Sequence, residues 1–147
     1  MASTGDSITR AFGTFPCTLS DCPANSWSTG SNAAINSHYN RILAANSLIS
    51  GANFNDAASG ARMAHLNAQV LNVNAHDVDY VTILMGANDV CTSSEPEMTL
   101  VATFLSQFQT AMSTLSAGSP DARIFVVSIP DIYNLWSILH TEPAAVA

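Results

Sequence analysis

Three short stretches carry residue types suited to acyl transfer: Gly5-Asp6-Ser7, Ser59-Gly60 and Gly86-Ala87-Asn88-Asp89. That chemistry needs a hydroxyl nucleophile, a base to take its proton, and donors aimed at the oxygen that becomes negative. Ser7, following Gly5, can stand on a tight turn with its hydroxyl exposed and its own N–H turned toward that oxygen. Gly60 has no side chain to keep a second backbone N–H away, and the Asn88 amide supplies a third donor. Each motif also has a plainer reading. Ser7 could be a turn residue, Asn88 a cap after a strand, and Gly60 a source of backbone freedom at a helix start.

The elements that would position these residues follow from hydrophobic spacing. Tyr80–Met85 and Arg123–Ile129 are short, rich in β-branched residues and end in Gly or Pro, which predicts two buried strands. Leu48–Ala52 is a weaker strand candidate, and Met1–Thr4 would have to serve as a first strand although it is short and polar. Three helical stripes lie between them: Ile35, Tyr39, Ile42 and Leu43; Met63, Leu66, Val70 and Val73; and Met98, Val101, Leu105, Phe108, Met112 and Leu115. Ser94 and Glu97 have capping-box spacing, with Pro96 in the first turn, for the third helix. After Pro130, Ile132, Leu135, Trp136 and Leu139 keep helical spacing behind Asp131 as cap.

Strands alternating with helices imply parallel strands joined by crossovers, hence an α/β sandwich. In such a sheet the loops leaving the carboxyl ends of the strands gather along one edge, where ligands bind. All three motifs fall on that edge if the first two strands form.

Composition narrows the chemistry. The 147 residues, 48% of them hydrophobic, suffice for one core, so residues 1–147 are expected to form a single domain. The net charge is -7 and the strong cations are Arg10, Arg41, Arg62 and Arg123, which argues against nucleic-acid binding through phosphates. Lysine is absent, which removes the Walker-type phosphate loop, Schiff-base chemistry and lysine bases. No apolar run approaches a membrane span and the start MASTGDS lacks the features of a signal peptide, so the chain is expected to be soluble or already processed. Cys17 and Cys22 could close a small disulfide; Cys91 is then free, paired between chains, or short of a partner.

GDSITRAF, NFNDAASGARM and VTILMGANDVC, in that order, resemble the first three conserved blocks of the SGNH (GDSL-type) hydrolases, and the resemblance spans roughly residues 5 to 136. SWSTG around Trp27 and SIPDIYNLW around Trp136 look most like secreted actinobacterial esterases of that family. The resemblance implies a three-layer α/β/α sandwich with a short parallel sheet, flavodoxin-like, and hydrolysis of small-molecule esters, short-chain or carbohydrate-linked, through an acyl-serine. It implies no metal or cofactor and an extracellular setting. By position it makes Ser7 nucleophile and oxyanion donor, Gly60 and Asn88 the other donors, and Asp6 and Asp89 supporting carboxylates.

The chain departs from the family pattern at its end. Family members carry an Asp-x-x-His motif there, after a further strand, and no Asp or Glu stands three residues before His38, His65, His76 or His140. His38 and His65 read as exposed helical histidines, and His76 falls in a turn on the edge away from Ser7. His140 lies where the missing segment would begin, with Glu142 and Asp131 as carboxylates that could orient it. A straight helix over Ile132–Leu139, rising about 1.5 Å per residue, would carry it about 12 Å from the active edge. It would then act as base only by folding back or by reaching a neighbouring subunit. Two functions follow: a small serine esterase, or a catalytically impaired fragment of the fold that binds or self-associates, its unpaired sheet edge covered by a second copy.

Overall fold

The computed structural model describes residues 1–142; residues 143–147 of the expected domain lie outside the described residues. Four parallel strands, β1 (Ala2–Gly5), β2 (Phe54–Asn55), β3 (Tyr80–Leu84) and β4 (Arg123–Val127), form one sheet in the order β2-β1-β3-β4. The helices are α1 (His38–Ala45), α2 (Met63–Ala75), α3 (Ala87–Val90), α4 (Val101–Gly118) and α5 (Ile132–Leu139). The expected α/β architecture with a short parallel sheet is therefore present.

Side-chain alternation gives the two sheet faces different chemistry. Ala2, Val81 and Ile83 pack with Leu66, Val70 and Val73 of α2 and with Ala111 and Leu115 of α4 into the apolar core. On the opposite face Ser3 shares a hydrogen bond with Thr29 (3.1 Å) and Thr82 one with Ser28 (2.6 Å). Those bonds explain why a polar first strand is fully buried: each hydroxyl that leaves water finds a partner.

Three sequence expectations are corrected. Leu48–Ala52 is not a strand: Asn46 caps a 3-10 turn over Ser47–Ile49, and the strand comes later as the two residues of β2. Ser94 does not cap α4. Glu97 N–H bonds the Ser94 carbonyl (3.0 Å) in a separate 3-10 turn over Glu95–Glu97, Met98 is extended, and α4 starts at Val101. Finally, β4 is a strand but not a buried one. Ile124, Phe125 and Val126 are 37%, 45% and 50% exposed, because β4 is the last strand of the sheet and among the described residues nothing pairs beyond it. No helix among the described residues is long and apolar enough to cross a membrane.

Candidate active site

β1 ends at Gly5, which lies in register with Leu84 at the end of β3, so the Ser7 and Gly86 loops leave adjacent strands at the same edge. Gly5 has φ +148°, and a Cβ there would collide with the Leu84 carbonyl oxygen, so the turn into Ser7 requires glycine. The Gln69 side chain fixes this turn from α2. Its Oε1 accepts the Gly5 N–H at 2.8 Å and its Nε2 donates to the Gly5 carbonyl at 2.9 Å.

The other two loops are bonded to this frame. Ala58 N–H donates to the Gly5 carbonyl (3.1 Å), which sets the Ser59-Gly60 loop beside β1. Asn88 Nδ2 donates to the Ala61 carbonyl (2.9 Å), and Asp89 Oδ2 accepts the Met63 N–H at the start of α2 (2.9 Å). The three motifs thus form one hydrogen-bonded cluster. Gly60 has φ +80° with open space where a Cβ would stand. Ser7 is half-buried, and its Oγ, its N–H and the Gly60 N–H make no hydrogen bond among the described residues. Asn88 keeps a second amide hydrogen to give.

The carboxylates lie beneath and beside the cluster. Asp6 is fully buried and its Oδ1 accepts the Ile8 N–H (2.9 Å). Burial first, and more weakly the negative charge of Asp89, raise its pKa despite that bond. Asp21 receives the Ser59 hydroxyl and pairs with Arg10 Nε (2.9 Å), so the Ser7 and Gly60 loops are also joined by charge. The Ser59 hydroxyl first, then Arg10, hold the Asp21 carboxyl below its usual range.

Each of the four imidazoles is engaged with groups other than Ser7. His38 Nδ1 bonds Tyr80 Oη at 2.8 Å, His65 Nδ1 accepts the Arg62 N–H at 3.0 Å, and His76 Nε2 faces Asp56 Oδ1 at 3.3 Å. His140 caps α5; its Nδ1 lies 2.9 Å from the Trp136 carbonyl and its ring stacks on Trp136. Among the described residues, none of the four hydrogen-bonds Ser7. The loops that carry Ser7, Gly60 and Asn88 are bonded to one another, and among the described residues His140 makes no hydrogen bond to them. His38, read as exposed, is half-buried because Trp27, Tyr80 and Phe125 surround its ring.

Sequence reasoning missed Gln69 and the Arg10–Asp21–Ser59 link. A signal existed for the first, a polar residue on the α2 face that carries Leu66, Val70 and Val73. The aromatics Phe12, Phe15, Trp27, Tyr133 and Trp136 do not line the apolar cleft of about 430 Å³ beside the cluster. Met63, Met85, Gly86, Phe104, Phe108 and Ile129 are among its walls. Cys17 and Cys22 form a disulfide, and Cys91 is free and exposed.

Residues 3–142 match the family described as GDSL-like Lipase/Acylhydrolase. The chain is also 30% identical over 164 aligned positions to the human protein "Phospholipase B1, membrane-associated". That alignment covers 92% of this chain and 11% of the relative's length. No solved structure matches at a comparable level of significance.

Proposed function

The chain belongs to the GDSL-like lipase/acylhydrolase family, and from that premise we propose that it hydrolyses carboxylic esters through an acyl-serine formed on Ser7. Ser7 Oγ attacks the ester carbonyl carbon and its proton passes to a base. The N–H groups of Ser7 and Gly60 and the Asn88 amide take up the negative charge on the carbonyl oxygen. The tetrahedral species collapses, the alcohol leaves with a proton, and water releases the acid by the same steps. What supports this reading is the pair of bonds that tie the three loops together, Ala58 N–H to the Gly5 carbonyl and Asn88 Nδ2 to the Ala61 carbonyl.

The base in this proposal is His140. A carbonyl can only accept, so the bond to Trp136 makes Nδ1 the protonated nitrogen of the neutral ring and leaves Nε2 with the free lone pair. To reach Ser7 it must be delivered by a shift of α5 or by a second copy. Substrates to test are short-chain and carbohydrate-linked esters, as the family resemblance suggests, and phospholipid esters, as the relative's name suggests. The apolar cleft next to Gly86 would take the acyl chain.

A second reading is favoured by one observation, the engagement of all four imidazoles away from Ser7. In it the chain is an impaired member of the family that binds or self-associates. Hydrolysis of p-nitrophenyl acetate separates the two. The enzyme reading expects turnover that Ser7→Ala abolishes and His140→Ala lowers to the same level. Turnover unchanged in Ser7→Ala would end the nucleophile assignment.

A further inference from the structure

The loop that follows Ser7 carries its apolar side chains outward. Phe15 and Leu19 are 85% and 89% exposed, and Phe12 is half exposed. Exposure of this degree is not slack. Cys22 N–H donates to the Arg10 carbonyl (3.0 Å) and Gly13 N–H to the Ser20 carbonyl (3.1 Å), which closes residues 10–22 into a compact projection. The Cys17–Cys22 disulfide crosses it, and Asn25 Nδ2 holds both Thr14 Oγ1 (3.1 Å) and the Phe15 carbonyl (2.9 Å). The tip, Thr14–Leu19, is therefore fixed in a position from which Phe15 and Leu19 cannot fold back onto the core.

We infer that this braced loop is a lipid-surface anchor that seats the Ser7 edge on an uncharged, zwitterionic interface. Charge selects the partner. Residues 11–20 carry no formal charge in a chain of net charge -7, so the tip suits a neutral surface and the rest of the molecule is repelled by an anionic one. Shape selects it too. Side chains almost wholly in solvent offer a second protein no pocket to fill, whereas an acyl layer accepts them without complementary shape. Position gives the anchor its use. Arg10 at the loop base pairs with Asp21, which receives the Ser59 hydroxyl beside Gly60, so the loop that carries the tip is tied at its base to the candidate site. The inference rests on the ester-hydrolase reading only for what that surface would deliver.

Vesicle co-sedimentation tests the anchor without reference to turnover. Ser7→Ala protein and the same protein carrying Phe15→Ser and Leu19→Ser are mixed with phosphatidylcholine vesicles, with and without phosphatidylserine. The expected result is binding of the first to neutral vesicles, weaker binding when phosphatidylserine is added, and a fall of about tenfold to a hundredfold in partitioning for the second. Both exchanged side chains are outside the core, so the circular dichroism spectrum stays unchanged. In the Ser7-containing pair, hydrolysis of soluble p-nitrophenyl acetate stays the same while hydrolysis of vesicle-borne ester falls. No sedimentation of the first protein overturns the inference, as does equal sedimentation of both. A dimer in light scattering that the double exchange dissolves, with no vesicle binding, assigns the tip to a second copy instead. Failure of the ester-hydrolase reading appears separately, as absent turnover with vesicle binding intact.

Discussion

Gln69 grips Gly5 by both of its backbone polar groups, donating to the carbonyl and accepting from the N–H across the interface between α2 and β1. Its side chain is buried, so the Gly5 N–H has no water to turn to if the amide is lost, while the carbonyl keeps the Ala58 N–H. Gln69→Leu should therefore cost about 1–3 kcal/mol, since an orphaned buried donor forfeits its full desolvation penalty. Urea unfolding monitored by circular dichroism measures the loss. Because the clamped turn leads directly into Ser7, residual folded protein should also hydrolyse ester more slowly with little change in KM.

Asn88 has a structural bond to the Ala61 carbonyl and a second amide hydrogen in reserve. Under the ester-hydrolase reading, Asn88→Ala should lower kcat by ~10²–10³, the usual cost of one oxyanion donor. Its stability loss should be only about 1 kcal/mol for the single hydrogen bond. Steady-state kinetics beside a denaturation curve separates the two effects. A stability loss with kcat intact would make Asn88 a loop tie alone.

Asp6 and His38 give opposite pH signatures. Burial raises the Asp6 pKa above 3.8, so above that pH the folded chain keeps a proton that the unfolded chain has released. The stability from this group is complete below 3.8 and is lost as pH rises through the raised value; Asp6→Asn should remove that decline. Burial, and secondarily Arg41, lower the His38 pKa below 6.5. The folded ring resists protonation, so its contribution is present above 6.5 and is lost as pH falls through the lowered value. His38→Gln, which keeps a polar partner for Tyr80, should flatten that side of the profile. Urea midpoints measured across pH 3 to 8 for the three proteins check both signs.

The disulfide closes a short loop, so its expected worth is small. Cys17→Ser with Cys22→Ser should lower stability by about 2 kcal/mol on the chain-entropy account. A thiol reagent should label Cys91 alone in the native unreduced protein, and three cysteines after reduction and unfolding.

What the sequence displayed, and what it hid, follows from where the stabilising partners lie. β3 was legible because Val81, Ile83 and their neighbours carry their own burial signal in branched apolar side chains. β1 was marginal because Ser3 is buried through a bond to Thr29, and no local pattern announces a partner that far along the chain. β2 was misplaced because two residues hold no period; its place is set by the Phe54 N–H bond to the Met1 carbonyl. The start of α4 was misread because Ser94 and Glu97 have the spacing of a helix cap but spend it on a separate turn. The site divides similarly. Gly5, Ser7, Gly60 and Asn88 sit in contiguous motifs, whereas Gln69 hides inside an apolar stripe and Asp21 in a loop whose partners are set by tertiary structure.

The strand that bears the GDS turn precedes both of its sheet neighbours in sequence and yet stands between them. Ala2 pairs with Phe54 on one side and Val81 on the other. A nascent chain leaving the ribosome therefore has no scaffold for Ser7 until both of those later segments have emerged. Its first strand must wait, solvated and unpaired, for long-range closure. The GDS turn therefore takes its shape only once residues well beyond it in the chain are in place.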